Sequence, residues 1–143
     1  MKRHAQVIVD NMVSKHITTG AIGEKMVANH LKRKGFIHLE SNFRAKTGEI
    51  DLILTKNSKI HFIEVKTVSR EIRDGVVEDV SRGTHRPEDN VHRDKLRKIF
   101  NTVQIWISKN RYVGEWQLDV ASVIFDSARR KARVTMIDNI VLE

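Results

Sequence analysis

Polar and apolar positions alternate most sharply between Gly48 and Thr67, GEIDLILTKNSKIHFIEVKT. Side chains of a strand point alternately to its two faces, so Glu49, Asp51, Ile53 and Thr55 share one face and Ile50, Leu52 and Leu54 the other. In the next run Ile60, Phe62, Glu64 and Lys66 share a face. The stretch predicts two short strands joined by a turn at Asn57-Ser58. With a two-residue turn, antiparallel pairing sets Leu54 against His61, Ile53 against Phe62, Asp51 against Glu64 and Glu49 against Lys66. A symmetric four-residue loop preserves that register, whereas a three-residue loop shifts it by one and sends the two carboxylates to opposite faces.

The elements around this hairpin follow from the same patterning. A helix is expected from Thr18 or Thr19 to about Lys34, stopped by Gly35, with Glu24 on the face that also carries Val27, Ala28 and Leu31. Phe36 to Phe43 reads as a first strand and Arg44 to Gly48 as a turn. From Val68 to Asn90 the chain mixes charges, holds Gly75, Gly83 and the single proline Pro87, and shows no sustained period. It is expected to be a charged loop, either a flap over a site or a solvated loop with a short helical turn. Leu96, Ile99, Phe100, Val103, Trp106 and Ile107 form the apolar stripe of a helix over about Val91 to Lys109. Trp116 to Phe125 and Arg133 to Ile137 read as the last strands. The long helix between the strand of Glu64 and that of Trp116 makes those two parallel, giving an αβββαββ order with a mixed sheet. Apolar residues on both faces of the hairpin place it between helical layers, which is α/β architecture. Residues 1–17 read as an N-terminal extension and 18–143 as a single domain.

Composition narrows the partners. Twenty-six Lys and Arg against 18 Asp and Glu leave a net charge of +8 and a pI near 10.0, which favours a polyanion. The chain has no cysteine, so disulfides and thiolate metal sites are excluded and no oxidising compartment is needed. Gln6, Asp10 and Asn11 interrupt any signal-peptide core, and no stretch approaches a membrane span, so a cytoplasmic protein without a membrane partner is expected. The seven histidines show no helical metal pair.

Candidate chemistry concentrates on the hairpin. Like charges directly opposed across a strand pair are destabilising, so Asp51 beside Glu64 calls for a compensating cation. A hard ion such as Mg²⁺ needs only one or two carboxylates, taking substrate phosphate oxygens and water for the rest of its shell. Lys66 points the same way and could stabilise phosphate charge or orient and deprotonate a water. Glu49 and Lys95 stand as auxiliaries, Lys95 as either a phosphate contact or part of a solvated helical face. Arg44 and Lys46 flank the acidic corner, Lys32, Arg33 and Lys34 close the first helix, and Arg129, Arg130 and Lys131 form a basic tip. Each group is either a contact to a nucleic-acid backbone or solvated surface charge. Asp119, inside an apolar strand, reads as structural support.

These residues carry a resemblance. Asp51 followed by Glu64-Val65-Lys66 resembles the D…E-x-K signature of the PD-(D/E)xK nuclease superfamily, to which restriction enzymes and archaeal Holliday-junction resolvases belong. More closely, the ordered set Gly20 to Glu24, Ser41-Asn42-Phe43-Arg44, Gly48 to Ile53, Phe62 to Thr67, Lys95 and Leu118-Asp119-Val120 resembles the YraN-like family of bacterial proteins. The resemblance implies a restriction-endonuclease-like αβββαβ(β) core with a mixed central sheet flanked by helices. It further implies a Mg²⁺- or Mn²⁺-dependent endonuclease acting on DNA, branched or junction DNA included, and working as a homodimer. Asp51, Glu64 and Glu24 are then the metal-holding set and Lys66 the residue that assists the water. The alternative it leaves open is a nucleic-acid-binding module that keeps the fold and does not cut. For Glu24 the plainer reading is a carboxylate at the positive end of its helix.

Overall fold

Strands that are apolar on both faces need cover on both, and two helices supply it here. The computed structural model describes residues 19–73, 76–79, 93–126 and 131–141. In chain order these form α1 (Thr19–Arg33), β1 (Ile37–Ala45), β2 (Gly48–Lys56), β3 (Lys59–Arg73), β4 (Val76–Asp79), α2 (Arg93–Lys109), β5 (Glu115–Asp126) and β6 (Lys131–Ile137). The sheet runs β1-β2-β3-β5-β6, with β4 paired to the far end of β3. β3 and β5 are parallel, as the intervening helix requires, and all other neighbours are antiparallel. This is an α/β fold with a restriction-endonuclease-like core.

The two faces hold separate cores. On one, Ile22, Met26, Val27 and Leu31 of α1 pack with Leu52, Leu54, Ile63, Ala121 and Val123. On the other, Ile99, Val103 and Trp106 of α2 pack with Ile50, Ile53, Phe62 and Leu118. Removing such fully buried side chains from water is the main favourable contribution to folding.

The turn at Asn57-Ser58 has two residues, both left-handed (φ 52° and 61°), the conformation that matches the twist of a tight hairpin. Leu54 therefore opposes His61, and Ile53 opposes Phe62, as the alternation predicts. The ladder then stops at Leu52 against Ile63. The expected backbone pairings of Asp51 with Glu64 and of Glu49 with Lys66 are not formed, because from there β2 follows β1 while β3 continues along β5. Ile50, expected with Leu52 and Leu54, packs instead with Ile53 in the layer of α2, where β2 is paired to β1 alone.

The segment expected to be a loop from Val68 is, at its start, sheet. β3 extends to Arg73 and β4 returns alongside it, Arg70 opposing Asp79 and Arg73 opposing Val76. Mixed charge hid the β-branched residues Val68, Ile72, Val76 and Val77, and Asp74-Gly75 between them is a hairpin signal. Residues 80–92 and the extension 1–17 lie outside the described residues. β1 starts one residue later than expected, at Ile37, because Phe36 packs into the layer of α1, and it runs on to Ala45. Gly35, at φ +93°, ends the first helix as anticipated. Among the described residues no helix is long and apolar enough to cross a membrane.

The approach of α1 to the sheet depends on Gly23, where a β-carbon would overlap the hydroxyl of Thr67 on β3. Gly23→Ala is expected to lower stability by about 1–3 kcal/mol despite its gain in helix propensity. A thermal melt that shows no loss would contradict this packing.

Candidate active site

The separation of β2 from β3 leaves backbone groups that need partners. The N–H of Val65 donates to Asp51 Oδ2 at 2.7 Å, so a side chain takes over where the ladder ends. The bond holds the Asp51 carboxyl beside Glu64, which is only 6% exposed. Glu64 Oε1 receives two ammonium groups, Lys66 at 3.3 Å and Lys95, from the first turn of α2, at 3.0 Å. A cleft of about 310 Å³ opens over this cluster, walled by Gly48, Asp51 and Glu64 on one side and by Lys95, Lys98 and Ile99 of α2 on the other.

Burial, followed by the adjacent charge of Glu64, pushes the Asp51 carboxyl up to about 7, against the lowering effect of the Val65 N–H. Near neutral pH Asp51 is therefore only partly ionised. Lys66 is lowered, chiefly by burial and by Lys95 beside it, while Glu64 pulls the other way. Burial also works against the charge of Lys95, but its bond to Lys66 and the carboxylates of Glu64 and Asp51 outweigh that and hold it above the usual lysine range. The two lysines are shifted in opposite directions, Lys66 down and Lys95 up.

A second set of contacts backs the first. Asn42, in the left-handed conformation at φ 53°, sits between two carboxylates. With its amide nitrogen turned toward them, it donates to Glu49 Oε1 at 2.8 Å and to Glu24 Oε2 at 3.3 Å. Glu24 is raised by burial and by the charge of Glu49, with the Asn42 bond opposing and Glu64 adding to the rise. Glu49 also meets Arg44 Nε at 3.4 Å, an exposed pair of little energetic weight. Below the cleft, Thr47 Oγ1 donates to Thr102 Oγ1 at 2.7 Å, and Thr102 Oγ1 donates to Lys98 O at 2.9 Å. These hydroxyls tie the turn before β2 to α2 at the cleft, which Thr47 lines.

Of the residues singled out from sequence, Asp51, Glu64, Lys66 and Lys95 come together, with Glu24, Glu49 and Arg44 beside them. Lys46 is exposed at the adjacent turn. Lys32, Arg33 and Lys34 lie elsewhere, at the end of α1 that leads into β1, toward the Asn57-Ser58 turn. Lys131 opposes Asp126 at the site's end of the sheet, two strands across, and Arg129 and Arg130 lie outside the described residues. Asp119 is structural: it is buried and bound by His61 Nδ1, Gln117 Nε2 and the backbone N–H of Asn139. Asn42 and Thr102 were missed. Thr102 had a visible signal, a hydroxyl inside the apolar stripe of its helix, whereas the role of Asn42 depends on a backbone conformation that alternation does not reveal.

Asp51 and Glu64 offer hard oxygen donors, and the raised pKa of Asp51 marks a site where its negative charge is disfavoured without a cation. That donor set fits Mg²⁺ or Mn²⁺, whose charge would favour the ionised form of Asp51. Among the described residues no three carboxylate or imidazole groups form a cage by themselves, so such an ion would draw on water or substrate oxygens for the rest of its shell.

The family model described as "Uncharacterised protein family UPF0102" matches residues 23–123, a span containing every residue of the cluster. A UPF0102 protein of Clostridium botulinum (strain 657 / Type Ba4) is 34% identical over 122 residues, covering 84% of this chain and 90% of its own. One of Campylobacter jejuni subsp. jejuni serotype O:23/36 is 32% identical over 104 residues, 73% of this chain and 81% of its own. One of Campylobacter fetus subsp. fetus is 33% identical over 109 residues, 76% and 86% of the respective chains.

Proposed function

Because the chain belongs to family UPF0102, the YraN family, whose name assigns no activity, we propose its function from its own site: a Mg²⁺- or Mn²⁺-dependent phosphodiester hydrolase acting on DNA. One observation carries the reading. Two carboxylates, buried Glu64 and Asp51 with its raised pKa, line an open cleft, and Lys66, whose pKa is lowered, stands against Glu64 at 3.3 Å. Buried groups with mutually shifted pKa values in a cleft are the expected signature of acid–base chemistry.

Asp51 and Glu64 would hold the divalent cation, with Glu24 adding negative charge beside them, and when bound the cation neutralises charge on the reacting phosphate and favours ionisation of water. Lys66 orients the attacking water and takes its proton in the neutral form or passes it to solvent. The water oxygen forms a bond to phosphorus as the bond from phosphorus to the leaving sugar oxygen breaks, and that oxygen takes up a proton from solvent water. Lys98, on the opposite wall, is placed to hold a neighbouring phosphate without reading sequence. The net charge of +8 suits such a partner.

The test is an assay of purified protein on linear, flapped and four-way DNA, with Mg²⁺ or Mn²⁺ and with chelator. Cation-dependent cutting supports the proposal, and the preferred substrate refines it. Salt-sensitive DNA binding with no cutting under either cation returns the non-catalytic binding module.

A further inference from the structure

Glu64 Oε1 carries Lys66 at 3.3 Å and Lys95 at 3.0 Å, two ammonium groups on one carboxylate oxygen. One charge-assisted contact suffices to neutralise a carboxylate, so the second is available for another use. The two lysines are not equivalent. Lys66 stands on the same strand as Glu64, two residues away, and its side chain is 18% exposed. Lys95 reaches in from the first turn of α2, its side chain is 41% exposed, and it lines the cleft. A lysine stem is flexible and its ammonium rotates freely, so Lys95 can leave Glu64 without disturbing either element.

We infer that Lys95 is the built-in counter-cation of Glu64 when no metal is bound, that a divalent cation at Asp51 and Glu64 displaces it, and that the freed ammonium then meets a phosphate in the cleft. The inference rests on the proposed cation site and adds an order of events to it: the same event that fills the site creates its phosphate contact. A doubly charged ion and an ammonium about 5 Å apart repel strongly enough, even at the dielectric constant of water, to change cation affinity roughly tenfold.

The experiment is calorimetric titration of Mn²⁺ into wild type, Lys95→Gln, Lys95→Met and Lys95→Arg, a readout that needs no cleavage. Glutamine keeps a hydrogen-bond donor for Glu64, so that variant retains the fold if methionine does not. Lys95→Gln and Lys95→Met are expected to bind Mn²⁺ about tenfold more tightly than wild type, and Lys95→Arg within about threefold of it. A nucleoside 5′-monophosphate, which has no diester to cut, is then bound at least about threefold more weakly by Lys95→Gln than by wild type in Mn²⁺, and equally by both in chelator. Cation affinity that is unchanged or weaker in the uncharged variants overturns the inference alone. Equal binding of the monophosphate in Mn²⁺ overturns its second half. No Mn²⁺ binding by any of the proteins overturns the cation site of the proposed function, and this inference with it.

Discussion

Lys66→Met protein, assayed with Mg²⁺ on a DNA that the wild type cuts, is expected to lose about 10²–10⁴-fold in rate while binding that DNA within roughly threefold, the range over which a positioned proton-transfer group contributes. Methionine keeps the hydrocarbon stem that β3 half-buries and removes only the amine. Glu64 retains Lys95 at 3.0 Å, so no buried carboxylate is left without a cation and the fold should hold. Thermal melts of the variant establish that directly. A rate that survives the substitution would remove Lys66 from the chemistry and point to a contaminating activity. A parallel fall in DNA binding and rate would make Lys66 a phosphate contact instead.

The Asp51→Asn protein separates the charge of the site from its shape. The folded state raises Asp51 from 3.8 to about 7, so folding takes up a proton between those values. The sign follows: stability from this group is fully present below about pH 4 and is lost as pH rises through 7. The loss is on the order of 2–4 kcal/mol at most, reduced because Asp51 is partly accessible and coupled to Glu64. Asparagine cannot ionise and can still accept the Val65 N–H through its side-chain oxygen. In chelator at pH 8, Asp51→Asn should therefore be at least as stable as wild type, and its stability should fall less steeply between pH 4 and 7. Glu24, also raised, and His30, lowered by burial and by Lys34 and Arg33, add to the pH dependence of both proteins, and taking the difference between the two largely cancels them. Adding Mg²⁺ reverses the order, because a ligand that binds only the folded state stabilises wild type by about 2.7 kcal/mol at a hundredfold excess over Kd, and the variant loses most of that gain. An apo variant clearly less stable than wild type, together with a wild type indifferent to metal, would show that Asp51 is structural. The two basic residues nearest in the sequence pattern do not pair with it: Arg44 meets Glu49 and Lys66 meets Glu64.

Much of the fold was legible because its signals are local. The β2–β3 register follows from a period of two and a two-residue turn, and the α2 stripe from spacings of three and four. The parallel arrangement of β3 and β5 follows from the helix between them. The sequence was misread where a local pattern was masked, as charges around Asp74-Gly75 concealed β4. It was silent where the outcome depends on how elements meet. Alternation places Asp51 near Glu64, but the end of the ladder at Leu52, and hence the use of Asp51 to hold the Val65 amide, depends on β1 and β5 drawing their neighbours apart. The meeting of Lys95 with Glu64 depends on the rotation of α2 about its axis over the sheet. Asn42 reaches Glu24 and Glu49 only because one residue of an edge strand adopts a left-handed conformation.

The amide of Val65, hydrogen-bonded to a carboxyl rather than to a carbonyl, has a spectroscopic consequence. A carboxylate is a stronger acceptor than its protonated form, so the ¹H and ¹⁵N resonances of this one amide follow the charge of Asp51. Amides within the regular β2–β3 ladder, as at Leu54 and His61, have backbone carbonyls as partners and give no such response. In a heteronuclear spectrum Val65 is thus a reporter written into the main chain, shifting with a midpoint near pH 7 and shifting again as an ion enters. The electrostatic state of the site can be followed through it in protein that has no substrate, no label and no measurable turnover.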